Sequence, residues 1–200
     1  DNHTLTAMDA DTFEIAYEVP VARGPQSLSM DDGGNLWIAA SKDDVLDVVR
    51  ASDGQGLHRY VLGYGARPTQ VVAHGNDIWV SLQGAGELRR YNTLTGQLTG
   101  SLPLGPEPRA LALNADASRI FVTRFISDID HAQVWEVNPQ TMTLVRTLSW
   151  QKFGGDEHRD GTANGRGVAN YLASAVLNFD GSELRIAAKK DNTDRGLLNG

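Results

Sequence analysis

The sequence contains no cysteine. That excludes disulfides, thiolate metal sites, a cysteine nucleophile and covalent c-type haem attachment within these residues. Positive charge is scarce: 18 Lys and Arg against 25 Asp and Glu give a formal net charge of −7. This is the wrong sign for a protein whose affinity rests on neutralising duplex phosphates, so no nucleic-acid partner is expected. Long apolar runs are missing as well. The longest are a few residues, such as Leu36 to Ala40, far short of the roughly 20 that a membrane-spanning helix needs. No basic stretch followed by an apolar one opens the chain, so a targeting segment is read as absent or removed. No window shows a helical apolar period with caps. There is no Gly-x-Ser-x-Gly elbow, no glycine-rich phosphate cradle leading into a helix, and no histidine pair at zinc spacing.

What is present is turn chemistry. Twenty-one glycines and seven prolines are spread along the chain, and 40% of residues are hydrophobic and 22% charged. Many short turns in a chain of ordinary globular composition point to an all-β fold. One pattern recurs. It runs Gly24-Pro25-Gln26-Ser27-Leu28, Asp32-Gly33, Asn35-Leu36-Trp37-Ile38-Ala39 in its first copy. The second is Arg67-Pro68-Thr69-Gln70-Val71-Val72, Gly75, Asp77-Ile78-Trp79-Val80-Ser81. The third is Glu107-Pro108-Arg109-Ala110-Leu111-Ala112-Leu113, Asp116, Arg119-Ile120-Phe121-Val122-Thr123. Trp37, Trp79 and Phe121 are each 42 residues apart. A fourth copy, Tyr171 to Val176 and then Phe179 to Ala187, is delayed by an insertion.

Between the copies lie paired strand-like runs with tight turns, such as Glu87 to Thr93 and Gln97 to Leu104 around Leu94-Thr95-Gly96. Each unit is therefore a four-stranded antiparallel meander of about 42 residues, the size of a β-propeller blade. The expected organisation is one propeller segment over 1–200, with blade-like repeats near 1–41, 42–83, 84–127 and 128–190. An insertion spans 150–167, and a further blade starts at 191–200. About four to five blades fall short of a ring of seven or so, so the chain reads as part of a larger ring, with a small closed or dimeric ring as the alternative.

These features resemble the YVTN family of propeller repeats. The residues that carry the likeness are Gly24-Pro25, Asp32-Gly33, Asp180-Gly181, Trp37-Ile38, Trp79-Val80 and Phe121-Val122. The Gly-His and Trp-Asp landmarks of WD40 blades are missing. Arg166 to Leu172, Asp180-Gly181, Lys189 to Asn192 and Arg195-Gly196 resemble one bacterial subfamily, in which such blades precede a c-type haem domain of the peroxidase or MauG kind. The resemblance implies a periplasmic or extracellular location. It also implies a haem domain downstream in the parent polypeptide and no cofactor in this segment.

In a four-stranded meander, the loop entering the first strand and the loop after the second emerge on one face. Arg23, Arg67 and Arg109 fall at the entering loops; Lys42, Arg124, Lys189 and Lys190 fall after second strands. With Arg166 and Asn170 from the fourth copy, they make a candidate basic mouth for a protein partner or small anionic ligand. Arginine suits that role because its planar fork holds a carboxylate by two bonds. Asp9, Asp11, Asp31, Asp32, Asp53, Asp77, Asp116, Asp180 and Glu183 gather mainly on the opposite turns, where aspartate is favoured for local hydrogen bonding. Asp43, Asp44 and Glu107 share the basic side and oppose it.

In the polar insertion, Asp156, Glu157, His158 and Asp160 are metal-capable residues, but their spacing fits neither an EF-hand nor a zinc motif. Trp37 and Trp79 keep the period and read as core. Trp135 and Trp150 break it, and either is a candidate exposed binding residue. No catalytic residues are identified. The first functional reading is a non-catalytic binding or scaffold module of an exported bacterial protein, docking a protein partner or haem domain. The others are an enzyme with a site at the channel mouth (a lyase or a quinone- or metal-dependent oxidoreductase) and a cell-surface adhesion array.

Overall fold

Short segments of alternating or wholly apolar residues, bounded by Gly, Asp and Asn turns, can satisfy their backbone groups only by pairing with one another. The computed structural model, which describes residues 3–152 and 167–191, contains 16 strands and no helix among those residues. The chain divides into two compact units, Asp1–Gly105 and Pro106–Gly200.

In the first unit, β1 (Thr4–Met8) pairs with β2 (Ile15–Pro20). Two antiparallel meanders follow: β3 (Pro25–Met30), β4 (Asn35–Ala40), β5 (Val45–Arg50) and β6 (Gly56–Val61), then β7 (Pro68–His74), β8 (Asp77–Leu82), β9 (Glu87–Asn92) and β10 (Leu98–Pro103). In the second unit, β11 (Pro108–Leu113), β12 (Ile120–Arg124), β13 (His131–Asn138) and β14 (Thr143–Gln151) form a third meander. There β15 (Val168–Leu177) pairs with β16 (Leu184–Asp191). The repeat boundaries at 41/42, 83/84 and 127/128 each fall between the second and third strands of a sheet. Periodicity sets the spacing of a repeat, whereas hydrogen bonding sets where each sheet begins. Positions 153–166, most of the insertion, and 192–200 lie outside the described residues.

The recurring motif occupies the first two strands of each four-stranded sheet, and its apolar residues face a neighbouring sheet. Trp37, Ala39, Leu46 and Val48 of one meander pack with Val71, Ile78, Val80 and Leu82 of the next. Tyr60 lies flat on Trp37, with ring centroids 5.5 Å apart, and tilts against Tyr91 at 6.4 Å. The first strands are stitched side to side, since the Val71 and Ala73 amides donate to the Ser27 and Ser29 hydroxyls at 2.9 and 3.0 Å. In the second unit, Ala112, Phe121, Ala132 and Val134 close on Leu172. Both faces of the central strands are thus covered, which explains their unbroken apolar runs. Trp135, which the sequence suggests as an exposed ring, is only 4% exposed because β13 is such a central strand. Trp150, on the last strand of its sheet, is 38% exposed.

The residue before each entering strand is left-handed: Gly24 (φ 71°), Arg67 (φ 48°) and Glu107 (φ 61°). That conformation turns their carbonyls to accept the amides of Ser41, Gln83 and Phe125 at 2.8, 3.0 and 2.7 Å. The loop entering each meander is thereby bonded to the loop after its second strand, which brings the candidate residues together.

Candidate functional site

On the opposite turns, the polar residues have local duties. Asp9, Asn92 and Asn138 each accept the amides two and three positions on. Asp116 and Asp180 accept the hydroxyl and amide of Ser118 and Ser182, bonds that hold both carboxyls below their ordinary range. These acidic turns are explained by their own backbone.

On the other side of the first unit, Arg23 is committed to structure. Its amide and its Nε donate to the two oxygens of Asp43 at 2.8 and 2.7 Å, tying the loop before β3 to the loop after β4. The Arg23 amide, and then its guanidinium, hold the Asp43 carboxyl below the ordinary aspartate range. Lys42 runs its stem over Gly24, where an added Cβ would meet Lys42 Cγ at 2.8 Å. Asp44 binds two amides, Gly65 N–H through Oδ2 and Arg67 N–H through Oδ1, each at 2.7 Å. Neither acid is thus spent on the basic side chains of Lys42 or Arg67. Both cations are exposed, and neither forms an ion pair among the described residues.

In the second unit, the structure gathers Arg109, Asn170 and Lys189 around two rings, Phe125 and Tyr171, that the sequence pattern does not mark as binding residues. The Arg109 guanidinium lies 4.2 Å from the centroid of Phe125, and Phe125 meets Tyr171 edge-to-face at 5.3 Å. Lys189 Nζ stands 5.5 Å from the centroid of Tyr171. The assembly is laced in place. Asn170 Oδ1 accepts the Ser127 and Tyr171 amides at 2.8 and 2.9 Å, and the Ser127 hydroxyl donates to the Ala169 carbonyl at 2.7 Å. Leu172 N–H donates to the Phe125 carbonyl, and the Thr123 hydroxyl to the Leu172 carbonyl at 2.7 Å. Tyr171 itself is left-handed (φ 52°) at an irregularity in the β15–β16 register, an uncommon state for a bulky side chain.

Arg124 is instead a brace. Only 13% of its side chain is exposed, and its Nη1 donates to Asp128 and Gln133 at 2.5 and 2.9 Å. Lys189 and Lys190 lie within β16 rather than in a loop after it. Arg166 and the metal-capable set Asp156, Glu157, His158 and Asp160 lie outside the described residues. The signal for Phe125 was its place directly after Arg124 at a second-strand exit. Tyr171 carried none, since its role depends on a backbone irregularity.

No family model matches this sequence, and no curated protein matches it. Solved structures do. Hydrazine synthase of Kuenenia stuttgartiensis superposes with a TM-score of 0.83 at 16% identity, over 98% of this chain and 53% of that one. Virginiamycin B lyase from Staphylococcus aureus gives 0.64 at 13% identity, over 92% and 56%. The dihydro-heme d1 dehydrogenase NirN, solved in complex with DHE, gives 0.61 at 13% identity, over 74% and 33%. The chain thus spans about half the length, or less, of these structures. Together with the four-stranded antiparallel meanders, they establish the fold as that of β-propeller blades.

Proposed function

We propose that this chain is a non-catalytic binding module of an exported bacterial protein, and that it docks an acidic protein surface through the Arg109–Phe125–Tyr171–Lys189 cluster. The observation that carries the reading is the row of cation, ring, ring and cation, set on β11, the β12 exit, β15 and β16 and held by hydrogen bonds at Asn170, Ser127 and Leu172. A ring holds the cation stacked on it in a defined place. The rings add apolar area at little entropic cost. A surface that pairs carboxylates with apolar side chains complements this arrangement. The resemblance of the C-terminal motif to propellers followed by haem domains makes such a domain the first partner to try. Fold alone assigns no activity, and the neighbours named as enzymes lend none to this chain.

The test is retention on immobilised poly-L-glutamate at physiological salt, with polyglutamine as the neutral control. A chain of net charge −7 should be repelled by that polymer unless a local site captures it. Retention is expected for the parent, and Arg109→Glu and Lys189→Glu should each abolish it. Arg50→Glu, at the end of β5 in the first unit, should change nothing. Equal retention of the parent and Arg109→Glu would refute the reading.

A further inference from the structure

The connection between β6 and β7 is a rigid loop with an exposed apex. Leu62 and Ala66 are buried at its two ends, 3% and 2% exposed. The Leu62 amide donates to the Asp44 carbonyl, and the Asp44 carboxylate takes the Gly65 and Arg67 amides. Ala66 N–H closes a turn onto Gly63, and the Ala66 and Arg67 carbonyls accept the amides of Gly84 and Gln83. Amid these restraints Tyr64 is completely exposed, at 106% of its reference area. The glycines on either side of it have positive φ, 106° and 75°. The backbone therefore turns the tyrosine outward and holds it there.

Arg67 supplies the second half. It occupies the left-handed position that Gly24 fills in the preceding repeat, so glycine performs the backbone task without strain. An arginine there costs conformational energy that its backbone role does not require. Its stem lies beside Gly84, where an added Cβ would stand 3.1 Å from both Arg67 Cγ and Cδ and would overlap the Gly65 carbonyl oxygen. The guanidinium ends exposed, with no ion pair among the described residues.

We infer that Tyr64 and Arg67 form a binding site for a peptide segment that carries a carboxylate beside an apolar side chain. The Arg67 fork takes the carboxylate and the Tyr64 ring covers the apolar neighbour. Tyrosine and arginine are the residue types that dominate protein-binding energy, and a preformed loop spares the ordering cost of binding. This site lies in the first unit and does not depend on the Arg109 cluster.

The geometry supplies an unusually clean variant. Arg67→Gly removes the guanidinium at a position whose backbone favours glycine, so loss of binding cannot be blamed on unfolding. The whole chain is immobilised and offered a phage-displayed dodecapeptide library, with counter-selection on Arg67→Gly. Surviving peptides should be enriched in Asp or Glu next to a leucine, phenylalanine or tryptophan. Their affinity should fall at least about tenfold in both Arg67→Gly and Tyr64→Ala, the loss of a single strong contact. Arg109→Glu should leave it unchanged, which separates this site from the cluster of the second unit. If no peptide survives counter-selection, or survivors bind Tyr64→Ala as tightly as the parent, the site does not exist.

Discussion

Gly54 and Gly96 stand 42 residues apart, the repeat period, and each seats a tyrosine from the outer strand of the preceding sheet. A Cβ at Gly54 would lie 2.7 Å from Tyr17 Cδ2 and Cε2. One at Gly96 would overlap the Tyr60 hydroxyl and lie 2.6 Å from Cζ. Both glycines also have positive φ, 73° and 69°. Gly96→Ala therefore carries two penalties, left-handed strain and displacement of a ring stacked on Trp37, expected to total about 3 kcal/mol. Urea denaturation should separate them, because in a Tyr60→Ala background only the strain of about 1 kcal/mol is left. An equal loss in both backgrounds would show that the ring contact does not matter. At Arg67 the same logic runs in reverse. Relief of left-handed strain is set against the greater freedom of unfolded glycine, so Arg67→Gly should match the parent or exceed it by up to about 1 kcal/mol. A measured loss of stability there would contradict the strain argument.

Two of the third strands, β5 and β13, are tied outward by buried acids. The Asp47 side chain, 6% exposed on β5, takes the Ala22 amide at 2.6 Å and both prongs of Arg59 from β6. Glu136 on β13, 5% exposed, takes Arg146 from β14. The two partners of the Asp47–Arg59 pair are unequal, since 56% of the Arg59 side chain is in solvent. Asp47→Ala strands the buried Ala22 N–H and should cost about 2–4 kcal/mol, whereas Arg59→Ala should cost about 1 kcal/mol or less. Comparable losses in thermal unfolding would mean that the ion pair, not the loop amide, is the tie. These elements were only half legible in sequence. Val45-Leu46 and Val48-Val49 flank Asp47 as the apolar residues of a strand do, but nothing local marks a lone acid among valines as buried. Its partners lie 25 and 12 positions away, and strand register brings them in. Asp44 was equally opaque: it read as a charge opposing the basic side chains, yet both its oxygens bind backbone.

For the molecule as a whole, the blade fold was readable because three copies in register outweigh any single weak motif, and the periodic tryptophans proved to be core. The proposed binding surface was readable only as a list of cations. Sequence placed Arg23 and Arg109 alike, whereas the fold spends one on Asp43 and sets the other on Phe125. The hydrogen-bonded carboxylates also govern how the fold responds to acid. Among the described residues, every aspartate with a perturbed carboxyl is shifted the same way, downward: Asp9, Asp31, Asp43, Asp53, Asp116, Asp128 and Asp180. At Asp31, burial pushes the carboxyl up. The Trp37 indole at 2.9 Å and the Asn35 amide, also at 2.9 Å, together with the Asn35 side chain and Gly33, outweigh it. The unfolded chain therefore takes up these protons at higher pH than the folded one. Their contribution to stability is complete above the unfolded value, about 3.9 for aspartate, and drains away as pH falls through the lower folded values. The urea midpoint should be flat from about pH 7 to about 5 and drop steeply between about 4 and 2. Asp31→Asn should lower the midpoint at neutral pH, because a neutral amide accepts those donors less well, yet narrow its gap to the parent in acid. A midpoint that holds from about pH 7 to about 3, or a gap that stays constant on acidification, would show that these hydrogen-bonded carboxylates do not govern the acid limit of the fold.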